Sequence, residues 1–142
     1  MAKGLNEEQK ATFRKLTEQF GLGKDDFFKA PQGFIIITRN GIEKIERGIG
    51  LVVHYEVVEA LCNVESGHYV IKATAVLQQT LMNEKGKPEV HESFKESYGE
   101  ASPKNCRNSY PVAMAEKRAL SRVVLKSAHL YELGVKGQDE IE

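Results

Sequence analysis

The chain has 142 residues, the size of one ordinary domain, and its 41% hydrophobic content is enough for a core. Twenty Lys and Arg side chains balance twenty Asp and Glu, so the formal net charge is zero. This balance argues against a nucleic-acid binder that relies on bulk positive charge, but not against a local basic groove. No apolar run approaches the roughly 20 residues of a membrane span, and the N-terminus lacks the apolar core of a secretion signal.

The first half of the chain predicts a helix, a strand and a second, shorter helix. Residues 5–20 form the first helix, with Asn6 as its cap and Phe13, Leu16 and Phe20 on one face. Residues 24–33 are expected to be a connector, with Pro31 and Gly33 as breakers.

A strand over residues 34–39 follows from its β-branched and aromatic composition. Ile42, Ile45 and Ile49 then recur at spacings of three and four, which predicts a short helix ending at Gly48 or Gly50.

The second half predicts three strands and the longest helix. The strands cover residues 51–63, 68–81 and 89–98, with a polar hairpin loop before the last of them. Residues 109–130 form the helix, and Pro111 suits its first turn. The predicted fold is α+β: an antiparallel β-sheet meander packed against a long C-terminal helix, with an N-terminal helix and a short helix between the first two strands. Residues 132–142 are expected to be an acidic, flexible tail.

A basic stripe is predicted along the long helix. At 100° per residue, Arg118, Arg122 and Lys126 lie together beside an apolar arc, and Lys117 flanks that arc on its other side. The stripe could be the solvated edge of an amphipathic helix. It lacks acidic partners at four-residue spacing, however, and Lys104 and Arg107 precede it, which favours a strip that neutralises phosphates.

The motifs of catalysis are missing from the sequence. There is no GxxxxGK[ST] loop, so no ATP-driven engine is predicted, and the four histidines are scattered. We therefore expect a protein that is not an enzyme and holds no metal. Cys62 and Cys106 are isolated, which disfavours a zinc site and is typical of a reducing cytoplasm, although a single disulfide is compatible with the sequence.

Two short motifs carry a resemblance to a known family. Tyr98-Gly99 ends a predicted strand and is followed by a small-residue loop, and the tetrapeptide Lys117-Arg118-Ala119-Leu120 lies within the long helix. Earlier in the chain, GFIIITRNGIEKIERGIG followed by a strand gives a strand, short helix, strand opening. This order resembles the single-strand annealing proteins of the Rad-fifty-two superfamily, which include phage and mobile-element members. The resemblance covers about residues 5 to 131.

The resemblance implies binding of single-stranded DNA and ATP-independent annealing of complementary strands in homologous recombination and repair. It implies a ring or filament of many copies with a positively charged groove, and no cofactor. The expected partners are single-stranded DNA, further copies of the chain, and a single-strand-binding protein or an exonuclease, in the cytoplasm of a bacterial or phage-infected cell. Residues 1–131 would form the DNA-binding domain.

The resemblance also assigns DNA-binding residues. Lys117 and Arg118 match the groove-lining pair of the family. Near other groove positions of the family lie Lys104, Arg107, Lys44 and Arg47. The candidate DNA-binding residues also include Arg122 from the basic stripe and Tyr98, an aromatic that could stack on a base. Arg122 stands one place later than the third basic residue of the family.

Two other functions are compatible with the same sequence. A meander packed on a helix also occurs in modules that bind double-stranded RNA or other nucleic acids as monomers. The zero net charge also suits a protein-interaction adaptor. The predicted strand aromatics, Tyr55, Tyr69, Phe94 and Tyr98, could stack on bases or simply pack the sheet.

Overall fold

A computed structural model describes residues 5–140. Its helices are α1 (Glu7–Gln19), α2 (Arg39–Ile49) and α3 (Pro111–Ser127). Its strands are β1 (Phe27–Lys29), β2 (Ile35–Ile37), β3 (Val52–Val57), β4 (Tyr69–Met82), β5 (Pro88–Ala101) and β6 (Lys136–Gly137). The predicted α+β class, with a meander on a long C-terminal helix, is confirmed. Within residues 5–140, no helix is both long and apolar enough to cross a bilayer.

The helix boundaries follow from local chemistry. Asn6 Oδ1 accepts a hydrogen bond from the Gln9 N–H at 2.8 Å, while the Gln9 side chain accepts one from the Asn6 N–H at 3.0 Å. This reciprocal capping box confirms the predicted start of α1. Helix α2 begins after Thr38 and ends at Gly50, whose φ of +79° is left-handed and disfavours a side chain.

The meander forms one antiparallel sheet in the order β3-β4-β5. Strands β4 and β5 pair over fourteen positions, from Tyr69↔Ala101 to Met82↔Pro88. Strand β3 pairs only with the first part of β4, ending at Val52↔Val76. The remainder of the β4–β5 hairpin, residues 77–93, therefore projects past β3 as a two-stranded arm.

Helix α3 lies on the meander because Gly99 lets the two backbones approach. A Cβ atom at Gly99 would lie 2.1 Å from the Ala115 carbonyl oxygen and 2.4 Å from the Ala119 nitrogen. Gly99 therefore faces α3. Because neighbouring residues of a strand alternate between faces, Tyr98 lies on the open face of the sheet.

A second sheet covers the other side of α3. It has the order β1-β2-β6, with β1 antiparallel and β6 parallel to β2. Gly137 of β6 lies so close to α3 that a Cβ there would lie 2.7 Å from Ser121 Cβ. Helix α3 is thus sandwiched between two sheets, and Ser121, Val124 and Leu125 are buried.

Three predictions about organisation are wrong. The connector expected at residues 24–33 contains β1, which pairs with β2 from Phe27↔Ile37 to Lys29↔Ile35. The flexible tail expected at 132–142 is instead packed structure through residue 140, because β6 pairs with β2 and Val135 is fully buried. Residues 141–142 lie outside the described part of the chain. Finally, the alternative that the basic stripe is the solvated edge of α3 is wrong for the second half of the helix, which is enclosed on both sides.

Candidate nucleic-acid interface

The predicted basic stripe of α3 contacts the free edge of the sheet. Lys126 Nζ donates to the Glu96 carbonyl at 2.9 Å, Arg122 Nη1 to the Tyr98 carbonyl at 2.7 Å and Arg118 Nη1 to the Glu100 carbonyl at 2.9 Å. These cations recur every four residues, about 6 Å along a helix, and the carbonyls every two, about 6.7 Å along a strand. Because the two spacings nearly match, three successive cations can bind the carbonyls on the edge of β5 that does not pair with β4.

Arg118 is 3% exposed and surrounded by acceptors. Its Nη2 donates to the Asn105 carbonyl at 2.6 Å, Nη1 also to Asn105 Oδ1 at 3.0 Å, and Nε to the Asp139 carbonyl at 2.9 Å. The prediction that Arg118 belongs to an exposed stripe is wrong. The reason is tertiary: the β5 edge, the loop before α3 and the C-terminal segment converge on one guanidinium, which joins them.

Arg122 is held between two carboxylates. Its guanidinium pairs with Glu140 at 2.5 and 2.8 Å and with Glu100 at 2.8 and 2.9 Å. The hydrogen bonds that Arg122 donates to Glu140 and then to Glu100 raise the pKa of Arg122 further above its ordinary value. The bond from Arg122 in turn lowers the pKa of Glu100. These acids neutralise the Arg122 charge locally, so a phosphate would have to displace a carboxylate to reach it.

The predicted cations of α2 divide between two environments. Lys44 Nζ lies 2.8 Å from Asp26 Oδ2, and this hydrogen bond lowers the pKa of the buried Asp26 carboxyl against the opposing effect of burial. Arg47, in the last turn of α2, is exposed.

Tyr98 lies on an acidic surface. It is half-exposed on the open face of the sheet, directly opposite Lys72. Lys72 Nζ is already paired with Glu56 at 3.3 Å and with Glu96 at 3.0 Å. A base stacked on Tyr98 would therefore bring its phosphates towards carboxylates rather than towards unpaired cations.

A different set of cations is exposed at the amino end of α3. Lys104 and Arg107 are exposed in the loop that precedes the helix, and Lys117 is half-buried in its second turn. The Arg118–Asn105 hydrogen bonds fasten this loop beside that turn. We call Lys104, Arg107 and Lys117 the amino-end basic patch. The sequence predicts that this loop extends the α3 stripe; the structure joins the loop to the buried Arg118 and leaves the Lys104 and Arg107 side chains exposed.

The backbone at this end of α3 adds further positive potential. Tyr110 is the N-cap residue and gives no side-chain hydrogen bond, Pro111 follows it, and the first turn contains no acidic residue. Uncapped N–H groups and the helix dipole both favour an anion. Tyr110 itself is half-exposed and could stack on a base.

Acidic side chains near Tyr55 bound the amino-end basic patch on one side. Burial, and then the charges of Glu116 and Glu46, raise the pKa of Tyr55 to about 12. The side of α3 that carries Glu116 is thus unfavourable to phosphate. Tyr55 is one of the four predicted strand aromatics. It lies on β3 opposite Ala73, on the sheet face that packs against the helices.

Sequence reasoning missed the role of the C-terminal acids. Asp139 and Glu140 lie against Arg118, Ser121 and Arg122. A signal was present, since a basic stretch is followed by an acidic one, but the acids were assigned to a flexible tail. Tyr110 was also missed, because it lies at a helix start rather than on a strand.

Comparisons with protein-family models, with curated proteins and with solved structures found no match for this chain, so the resemblance to the Rad-fifty-two superfamily stays a prediction.

Proposed function

We propose that this protein binds single-stranded DNA and anneals complementary strands without ATP, as an oligomer. The observation that carries the proposal is the amino-end basic patch beside the uncapped start of α3. Within residues 5–140, no carboxylate pairs with Lys104 or Lys117, so both ammonium groups are available to phosphates. Contacts of this kind do not depend on base sequence, which suits a protein that leaves specificity to base pairing.

Annealing without ATP requires little more than a cationic surface such as the amino-end basic patch. Pairing of complementary strands lowers the free energy. It is slowed by repulsion between the phosphates of the two strands and by base pairing within each single strand. A cationic surface screens the phosphates, and an exposed aromatic such as Tyr110 can hold a base unstacked from its neighbours. One small patch makes few contacts, so repeated copies along the strand would supply the affinity.

The β4–β5 arm supports self-association. Met82 and Val90 are both 67% exposed and Phe94, at its base, is 64% exposed. The arm extends beyond β3, and no other described element packs over these side chains. Met82 and Val90 lie on the same face near the tip of the arm, and Glu92 separates them from Phe94. Exposed apolar side chains of this kind often mark an interface, and a second copy of the chain could bury them. The edge of β3 is a further pairing surface, whereas cations from α3 cover part of the β5 edge.

The binding test uses two charge reversals with a matched control. Lys104→Glu with Lys117→Glu should weaken binding to an oligothymidine at least 10-fold in fluorescence anisotropy and abolish ATP-free annealing. Lys85→Glu with Lys87→Glu makes the same change of charge in the exposed hairpin loop and should have a much smaller effect. Equal losses in both double variants, or tight binding by the first, would contradict the proposal.

The assembly test is light scattering with and without single-stranded DNA. The parent should form a species of many copies, and Val90→Asp should reduce its mass. Val64→Asp, in the exposed turn between β3 and β4 at the opposite end of β4 from the arm, is the control and should leave the mass unchanged. A parent that stays monomeric with DNA present would exclude the oligomeric part.

One observation favours the protein-interaction adaptor as a second candidate. Arg118 and Arg122 are engaged by the protein itself, and the open sheet face carries Glu56, Glu92, Glu96 and Glu100. Such a face would suit a basic protein partner. An absence of DNA binding by the parent even at low salt would favour this function over annealing.

A further inference from the structure

A pocket on the α1 side of the molecule is lined by basic residues over an apolar floor. It has a volume of about 600 Å³ and lies between α1, the β1–β2 hairpin and the segment before β6. This volume is within the range of small-molecule sites. Its residues are separate from the amino-end basic patch, so an inference about this pocket stands independently of the proposed function.

Four cations line the pocket, from three separate parts of the chain. They are Lys10 and Arg14 of α1, Lys29 of β1 and Lys136 of β6, and no acidic residue in the described part of the chain lines it with them. Lys10 also lies 3.6 Å from Glu7, but both side chains are exposed, so this pair neutralises little. The lining therefore carries close to four positive charges.

The floor is aromatic and aliphatic. Phe13 and Phe34 line it, together with Ile35 and Leu133. The Phe13 ring packs edge-on against Phe27 with centroids 5.0 Å apart, which holds it in place. Lys136 Nζ lies 4.7 Å from the centroid of the Phe34 ring, so a cation and an aromatic face meet within the pocket.

These features select a ligand by its chemistry. A single carboxylate would leave most of the positive charge unbalanced, whereas a phosphate monoester brings nearly two negative charges and three acceptor oxygens. An apolar or planar body attached to that phosphate would cover the phenylalanines and exclude water from the ionic contacts. We propose that this pocket binds a small phosphate ester whose body is aromatic or aliphatic.

Calorimetric titration of the parent separates the two halves of the proposed ligand. The probes are thymidine 5′-monophosphate, hexyl phosphate, inorganic phosphate and thymidine. At least one ester should bind 10-fold or more tightly than both inorganic phosphate and thymidine, and the tighter ester identifies an aromatic or an aliphatic body. Inorganic phosphate binding as tightly as both esters would overturn the proposal, and so would absence of binding by both esters.

Neighbouring residues of α1 give a matched pair of variants. Arg14 lines the pocket and Lys15 does not, although both are exposed. Arg14→Glu should weaken binding of the ester at least 10-fold, and Lys15→Glu should change it less than twofold. Lys29→Glu, from β1, is a second pocket variant for which the same loss is expected, and thermal unfolding checks that each variant is folded. Equal loss in the Lys15 variant would place the ester elsewhere.

Discussion

The Lys and Arg side chains along α3 lie in two different environments. Arg118, Arg122 and Lys126 bind carbonyls on the β5 edge, and Glu140 closes over Arg122. Lys117 precedes Arg118 by one residue, yet no carboxylate in the described part of the chain pairs with it. A step of 100° around the helix thus separates a structural cation from an available one. The number of basic residues along a helix therefore does not predict phosphate binding unless the neighbouring strand edges and carboxylates are known.

The largest effect is expected for the most enclosed cation. Arg118→Met should lower the free energy of unfolding by about 3 to 5 kcal/mol, because it leaves buried carbonyls without a donor. Lys117→Met should change it by less than about 0.5 kcal/mol. Urea denaturation measures both, and similar costs for the two variants would remove the distinction between them.

Gly99 sets the distance at which the cations reach the sheet edge. Gly99→Ala places a methyl group against the backbone of α3, so the helix must move away from β5, at a cost of about 2 to 3 kcal/mol. Gly23→Ala is the control, because a Cβ there meets nothing within 4 Å. Thermal unfolding compares the two. A Gly99 variant as stable as the control would show that the close approach is unimportant.

The two groups of cations should also differ in salt dependence. Lys104→Ala should lower the slope of log affinity for single-stranded DNA against log salt concentration by about 1, since one phosphate contact is lost. Arg122→Met should leave the slope unchanged while lowering stability, because its charge is already balanced by Glu100 and Glu140. Anisotropy titrations at several salt concentrations measure the slopes. The opposite pattern would assign Arg122, rather than Lys104, to DNA.

The smallest effect concerns Lys44, a predicted DNA contact that is paired with Asp26. The pKa of Asp26 is lowered in the folded protein, so its carboxylate stabilises the fold above its unfolded pKa of about 3.9, and this contribution is lost as pH falls through the folded value. Asp26→Asn should therefore lower the free energy of unfolding at pH 7 by about 1 kcal/mol, which lowers the Tm. It should also flatten the fall in Tm below about pH 4. Asp25→Asn, at an exposed neighbour, should behave like the parent. An Asp26 variant with the parent's acid profile would show that the ion pair does not couple to folding.

Local patterns in the sequence were sufficient for most of the regular elements. The capping box at Asn6 and Gln9, the isoleucine spacing of α2 and the polar hairpin loop all act over a few residues, so the sequence predicted α1, α2 and the meander in the right order. Strand β1 was not predicted because its three residues depend on pairing with β2, and Lys24, Asp25 and Asp26 beside it are typical of a loop.

The site depended on contacts that local patterns do not contain. The sequence by itself determined how many cations lie along α3 and at what spacing. Which of them are buried was decided by distant partners: Glu100 and Asn105 before the helix, and Asp139 and Glu140 after it. Segment 135–140 is held because β6 pairs with β2, about a hundred residues away in the chain. Tertiary structure alone can bring such partners together, because a buried guanidinium is stable only where several acceptors surround it.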